Sequence, residues 1–186
     1  VSKSAQNEIR EAVRDFQDLQ SQIKAALPER SKSPQGLKAW QDACTAWHNH
    51  TSILATFWQK EYLSAVESGD PKSVDLAISF VEVNPYYFRS GYMKDRLFRR
   101  LRRSRLSEDQ RQRLLSAITE AIHSHQGDGW NHFIALAAAF ADARFVEFVS
   151  KVATGKDPKV ARRAKLLLAG LGKNMGVDYR AHVSPP

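Results

Sequence analysis

Residues 9–27 read IREAVRDFQDLQSQIKAAL, and the apolar members Ile9, Val13, Phe16, Leu19, Ile23 and Leu27 step by four, three, three, four and four positions. At 3.6 residues per turn such steps keep to one side, so the stretch predicts a long amphipathic helix with a single apolar stripe. Pro28 stops it, and the following run, ERSKSPQG over 29–36, holds turn-forming residues and little to bury. The same periodicity recurs to the end of the chain. No segment alternates apolar and polar residues as a half-buried strand does, and no Asn-Gly or Asp-Gly pair joins two β-branched runs. The fold class predicted is all-α.

Outward from that first helix, Leu37 opens a second, with Trp40, Cys44 and Trp47 on one face, and the polar run His48–Ser52 breaks it. Helical pattern resumes through Ile53, Phe57, Trp58 and Leu63 and ends at Gly69-Asp70. Pro71 suits the first turn of the next helix, because its missing N–H is one of the orphan donors there. That helix stops at Asn84-Pro85, since a residue before proline avoids helical geometry. Pro85 is expected to open a basic helix that runs to about Arg103. Ser107 with Gln110 three residues on forms a capping-box pattern, launching a helix to about Ser124. Segments 130–142 and 144–154 and a last helix, Pro158 to Leu171, complete eight or nine helices and no sheet. One domain is expected over residues 1–171, with a flexible tail over 172–186.

The sequences Gly69-Asp70-Pro71-Lys72-Ser73-Val74 and Gly155-Lys156-Asp157-Pro158-Lys159-Val160 are alike, and each launches an apolar helix. The second continues through Ala161, Ala164, Leu166–Leu168 and Leu171 and resembles the second helix of a HEAT repeat, where Asp-Pro starts the helix and Val, Ala and Leu face the stack. The resemblance covers 155–171 and, more loosely, 69–84. It implies a HEAT-like α-solenoid, a scaffold that binds protein or nucleic acid along its surface. An irregular helical bundle with two similar helix starts is the alternative.

Composition narrows the function classes. Four Trp and nine Phe in a chain with 42% hydrophobic residues exclude general disorder. Cys44 is the only cysteine, which rules out an intrachain disulfide and any Cys-based zinc site. The longest uncharged apolar run, Trp130–Ala141, is well short of the roughly 20 residues a membrane span needs. The polar amino terminus has no signal-peptide core, so a soluble, cytoplasmic protein is expected.

Charge is concentrated. Of the 28 Lys and Arg residues, ten lie between Arg89 and Arg113 beside three acids, a local net charge of +7 against +8 for the whole chain. On a helical wheel Leu97, Phe98 and Leu101 gather on one side with Tyr87 nearby, and Arg89, Arg96, Arg99, Arg100 and Arg103 gather opposite, with Tyr92 among them. Five guanidinium forks along about 21 Å form a ribbon for phosphates or carboxylates, and Tyr92 supplies an aromatic contact. The competing reading is a solvated face balanced by carboxylates of a neighbouring helix, with Glu61, Glu67 and Glu82 as candidates.

Other clusters carry less. His48 and His50 are two apart and face different ways on a helix. His123, His125, Asp128 and His132 surround a turn and form a candidate metal cluster, but their spacing matches no defined site. Cys44 shares its face with two Trp residues and reads as a structural thiol. Gly-x-Ser-x-Gly, phosphate-loop and His-Glu-x-x-His motifs are absent. The reading is therefore a non-catalytic helical module without cofactor, presenting its Arg face to an acidic protein partner as an adaptor or inhibitor. Sequence-independent nucleic-acid binding is the alternative, and a metal-dependent hydrolase a remote third.

Overall fold

A computed structural model describes residues 2–125 and 129–175. Among these residues the chain forms ten α-helices, one turn of 3-10 helix at Leu27–Glu29 and no strand, as the periodicity predicts for an all-α protein. Helix α1 (Ser2–Ala26) carries the opening stripe: Ile9 is buried, and Val13 and Phe16 pack against the core. Leu27, the last residue of the stripe, is exposed because the helix has already tightened into the 3-10 turn. Helix α2 (Pro34–Asn49) starts where the Ser33 hydroxyl accepts the Gly36 N–H at 3.0 Å. A Cβ at Gly36 would stand 2.0 Å from the Glu29 carbonyl oxygen, so this tight reversal requires glycine.

Residues 53–63, expected as one helix, form two: α3 (Ile53–Thr56) and α4 (Lys60–Ser68). The break between them lets the fully buried Phe57 ring sit 4.6 Å from Phe80 and edge-on to Tyr62 at 5.5 Å. This accounts for a tenth helix. Helix α5 (Pro71–Val83) and helix α10 (Pro158–Met175) share their start chemistry: Asp70 accepts the Ser73 N–H at 2.9 Å, and Asp157 accepts those of Lys159 and Val160 at 2.8 and 3.1 Å. Helix α6 (Ser90–Leu101) is shorter than expected at both ends. Asn84 (φ 46°) and Arg89 (φ 69°) are both left-handed, and between them Pro85–Phe88 runs as a strap instead of opening the helix. Helix α7 (Glu108–Ser124) has the predicted capping box, with Ser107 and Gln110 bonded in both directions. Helices α8 (Trp130–Phe140) and α9 (Ala143–Ala153) precede α10. Helix α10 continues to Met175, past the expected start of the tail at 172; the rest of that tail lies outside the described residues.

One apolar cluster runs from Ile9 to Leu171. Helix α1 packs on α2, α3 and α5; α5 on α4 and α7; α6 is held between α4 and α8; and α10 closes over α7, α8 and α9. Arginines tie these layers. Arg113 bridges α7 to Asp75 at 3.0 Å and Glu82 at 3.2 Å on α5. Arg111 reaches Asp142 and the Phe140 carbonyl, each at 3.0 Å. Arg163 on α10 donates to the carbonyls of Ile122 at 2.8 Å and His125 at 2.7 Å, at the end of α7 where carbonyls lack helical partners and the dipole favours a cation. No helix among the described residues is long and apolar enough to cross a membrane.

Candidate binding face

Helix α6 has the two sides that the wheel predicts. Met93, Leu97, Phe98 and Leu101 are buried, and Tyr87 is buried at the strap, where its hydroxyl donates to the Met93 sulfur at 2.9 Å. The opposite side carries the arginines, but most of the ribbon is already engaged. Arg99 pairs with Asp95 one turn earlier. Arg100 pairs with Glu67 on α4, and Arg103 reaches the other oxygen of the same carboxylate at 3.0 Å. Of the three acids weighed as counter-charges, Glu67 plays that part, whereas Glu82 pairs with Arg113. Hydrogen bonds from Arg103 and Arg100 hold the Glu67 carboxyl below its usual range, so it stays ionised beside them. Arg96 lays its guanidinium over the Trp58 ring, 5.4 Å from the centroid. Arg89, Arg96, Arg102 and Arg105 are exposed and have no carboxylate partner among the described residues.

The amino end of α6 is different. Here the strap, the end of α1 and the start of α8 enclose an open groove of about 820 Å³. Its rim bears rings that a soluble surface normally hides: Tyr86 is 58% exposed, Phe88 53% and Tyr92 71%. Of the three adjacent rings Tyr86, Tyr87 and Phe88, only Tyr87 is buried. Its neighbours stand outward, on either side of the bend at Tyr87 and the turn that leads into α6. On the other side of the strap Tyr87, Phe88 and Arg89 wall a smaller cavity of about 180 Å³ that reaches Phe16 and Trp47.

Lys94, in the groove lining, is only 3% exposed. Its Nζ donates to Asn84 Oδ1 at 2.7 Å, and burial pulls its pKa down to about 8. Sequence reasoning passed over this residue, although a signal existed: Lys94 precedes Leu97, Phe98 and Leu101 by three, four and seven positions and so falls on the core side of α6.

The histidine cluster does not converge among the described residues. His125 turns inward, with Trp130 at 5.5 Å and Phe133 at 5.2 Å from its ring. His132 faces α6, with Nδ1 3.5 Å from Asp95, and Asp128 lies outside the described residues. His123 is exposed, and no group of three His, Cys, Asp or Glu residues suited to a metal occurs among the described residues. His48 Nδ1 lies 2.8 Å from the Cys44 carbonyl oxygen, a local backbone contact, and Cys44 itself is half-buried.

No family model, curated protein or solved structure matches the chain.

Proposed function

We propose that the protein is a non-catalytic, HEAT-like binding module that takes an acidic segment of a partner protein on the face formed by α6 and the strap. The observation that carries this reading is the cluster of exposed rings, Tyr86, Phe88 and Tyr92, around the unpaired Arg89 at the mouth of the groove. Tyrosine and arginine are enriched at interface hot spots, because each brings apolar area together with a polar group. The two Asp-Pro helix starts at α5 and α10, each the second helix of an adjacent pair, support the repeat-like architecture.

The same rings would serve as stacking platforms for single-stranded nucleic acid. The charge distribution favours protein. A nucleic-acid track needs successive uncompensated cations, yet Arg99, Arg100 and Arg103 already hold carboxylates, and Asp95 sits in the groove itself. Mixed charge with aromatic surface suits a segment that has both acidic and apolar residues.

The test is a fluorescence titration of the protein against a short Glu- and Phe-rich peptide, single-stranded DNA and duplex DNA at low and near-physiological salt. Saturable binding of the peptide that persists at the higher salt, and at least about tenfold weaker binding in an Arg89→Glu/Tyr92→Ala variant, is the expected result. These side chains are exposed, so the fold should tolerate both changes. Tight DNA binding with a steep salt slope and no peptide binding would transfer the face to nucleic acid.

A further inference from the structure

A lysine buried without a counter-ion is costly to keep charged, because desolvation is offset only by what surrounds the ammonium. Among the described residues Lys94 has no carboxylate within ion-pair reach; the nearest acid in sequence, Asp95, is directed to Arg99 and His132. Asn84 accepts one of its three protons, and that acceptor is neutral. The side chain nevertheless lines the groove instead of escaping to solvent.

Two further features of the same groove raise its positive potential, and a third leaves it accessible. Ser90, Gly91 and Tyr92 bring the first turn of α6 into the lining, and this helix start has no side-chain cap. The Ser90 N–H is taken by the Tyr87 carbonyl at 3.0 Å; the Gly91 and Tyr92 amides and the positive end of the helix dipole add to the lysine. Arg89 stands at the rim. A Cβ at Gly91 would meet no protein atom within 4 Å, so the backbone there is open to an approaching group. Around this point stand the exposed rings of Tyr86, Phe88 and Tyr92.

We infer that Lys94 is the counter-ion for one carboxylate of the partner segment, an Asp or Glu side chain followed by an aromatic residue, seated between the 85–89 strap and α6. This rests on the protein-binding reading above and adds the chemistry of the bound motif. A carboxylate fits better than a phosphate: the slot offers a single enclosed cation, and the Asp95 carboxylate in its lining opposes a second negative charge.

The experiment follows backbone amides 84–95 of the ¹⁵N-labelled full chain by NMR. The probes are acetyl-Asp-Phe-amide, acetyl-Asn-Phe-amide and phenyl phosphate, each raised to ~20 mM, where weak fragment binding is visible. The Asp peptide is expected to shift Arg89–Lys94 saturably, and the Asn peptide to bind about tenfold or more weakly. Lys94→Met should lose the Asp peptide to the same degree while remaining folded. Gly91→Ala, whose methyl enters open space above the first turn, should weaken it too, and Lys151→Gln, exposed on α9 and outside the groove, should leave it unchanged. Equal binding of the Asp and Asn peptides, no shift with either, or full binding by Lys94→Met overturns the inference. Phenyl phosphate binding at residues 89–94 without the Asp peptide overturns it in favour of a phosphate ligand. The wider reading fails separately: it falls if the Glu- and Phe-rich peptide does not bind at all, and it survives if that peptide binds Lys94→Met as well as the parent.

Discussion

At the carboxyl end of α6, Glu67 gathers Arg100 and Arg103 while Asp95 holds Arg99; at the amino end, Arg89 and Lys94 have no acid partner among the described residues and border a groove rimmed with aromatic rings. Both ends belong to one basic stretch, yet the first is largely compensated, with Arg102 and Arg105 left over, and the second is not compensated at all among the described residues. The difference comes from which elements stand opposite. Helix α4 delivers a glutamate against the last turn of α6, whereas the strap and the end of α1 deliver Tyr86, Phe88, Gln17 and Gln20 against its first turn. A run of like charge therefore becomes a scaffold element where a neighbour supplies carboxylates and a candidate recognition element where the neighbour supplies rings and amides.

The largest effect that sharpens this contrast is expected at Lys94. With its pKa near 8 in the folded chain and 10.5 as the ordinary value, the unfolded chain binds the extra proton between about pH 8 and 10.5. Stability contributed by this group therefore rises with pH across that window, and below it the folded protein bears the full cost of the buried charge. Lys94→Met removes a penalty of about 3 kcal/mol and forfeits a charge-assisted hydrogen bond to Asn84 worth about 2 kcal/mol, so the variant should be about 1 kcal/mol more stable at pH 7. Urea unfolding at pH 7 and pH 10.5 checks both parts: the advantage should be gone at the higher pH. A destabilised Lys94→Met at pH 7 would mean that the ammonium is well solvated in its groove, and the amino end would lose its claim to be special.

A smaller effect probes the other end. Glu67→Gln would free Arg100 and Arg103 while keeping the shape of the side chain. Exposed ion pairs contribute little to stability, so the unfolding midpoint should hardly move. Affinity for short single-stranded DNA at low salt should rise severalfold, because two neighbouring guanidiniums become available to phosphates. In the parent, protonating Glu67 achieves the same release. Its carboxyl is held low by Arg103 and Arg100, so the ion pairs persist at neutral pH and are lost only as pH falls through that lowered value. If DNA affinity is the same in Glu67→Gln, those arginines were never restrained, and the asymmetry between the two ends disappears.

How much of this could be read beforehand follows the same division. Helical periodicity, Asp-Pro starts and the Ser107 capping box act within a few residues, and the helices they predict are present, with the one expected from Ile53 divided into α3 and α4. The core side of α6 was equally legible, since Leu97, Phe98 and Leu101 obey local spacing. The pairing of Arg100 and Arg103 with one particular glutamate was not, because Glu67 is more than thirty positions away and its place depends on how α4 packs. The groove was hidden for a related reason. Pro85 suggested a helix start, but left-handed turns at Asn84 and Arg89 converted Pro85–Phe88 into a strap, and that change exposed Tyr86 and Phe88. Backbone conformations of this kind are set by tertiary packing as much as by the residue that adopts them.

Arg89 offers the finest test. It adopts φ 69°, ψ 4°, a conformation that costs a residue with a side chain about 1–2 kcal/mol and glycine almost nothing. Glycine would also gain freedom in the unfolded chain, which offsets part of the relief. Arg89→Gly should therefore raise stability by up to about 1 kcal/mol, read from the urea midpoint, while weakening capture of the Glu- and Phe-rich peptide. That pairing, more stable and less able to bind, is the signature of strain retained for recognition at the open end of α6. If Arg89→Gly unfolds more easily than the parent, the guanidinium is holding the strap in place. The amino end of the helix would then be compensated after all, by packing in place of the carboxylates that compensate its carboxyl end.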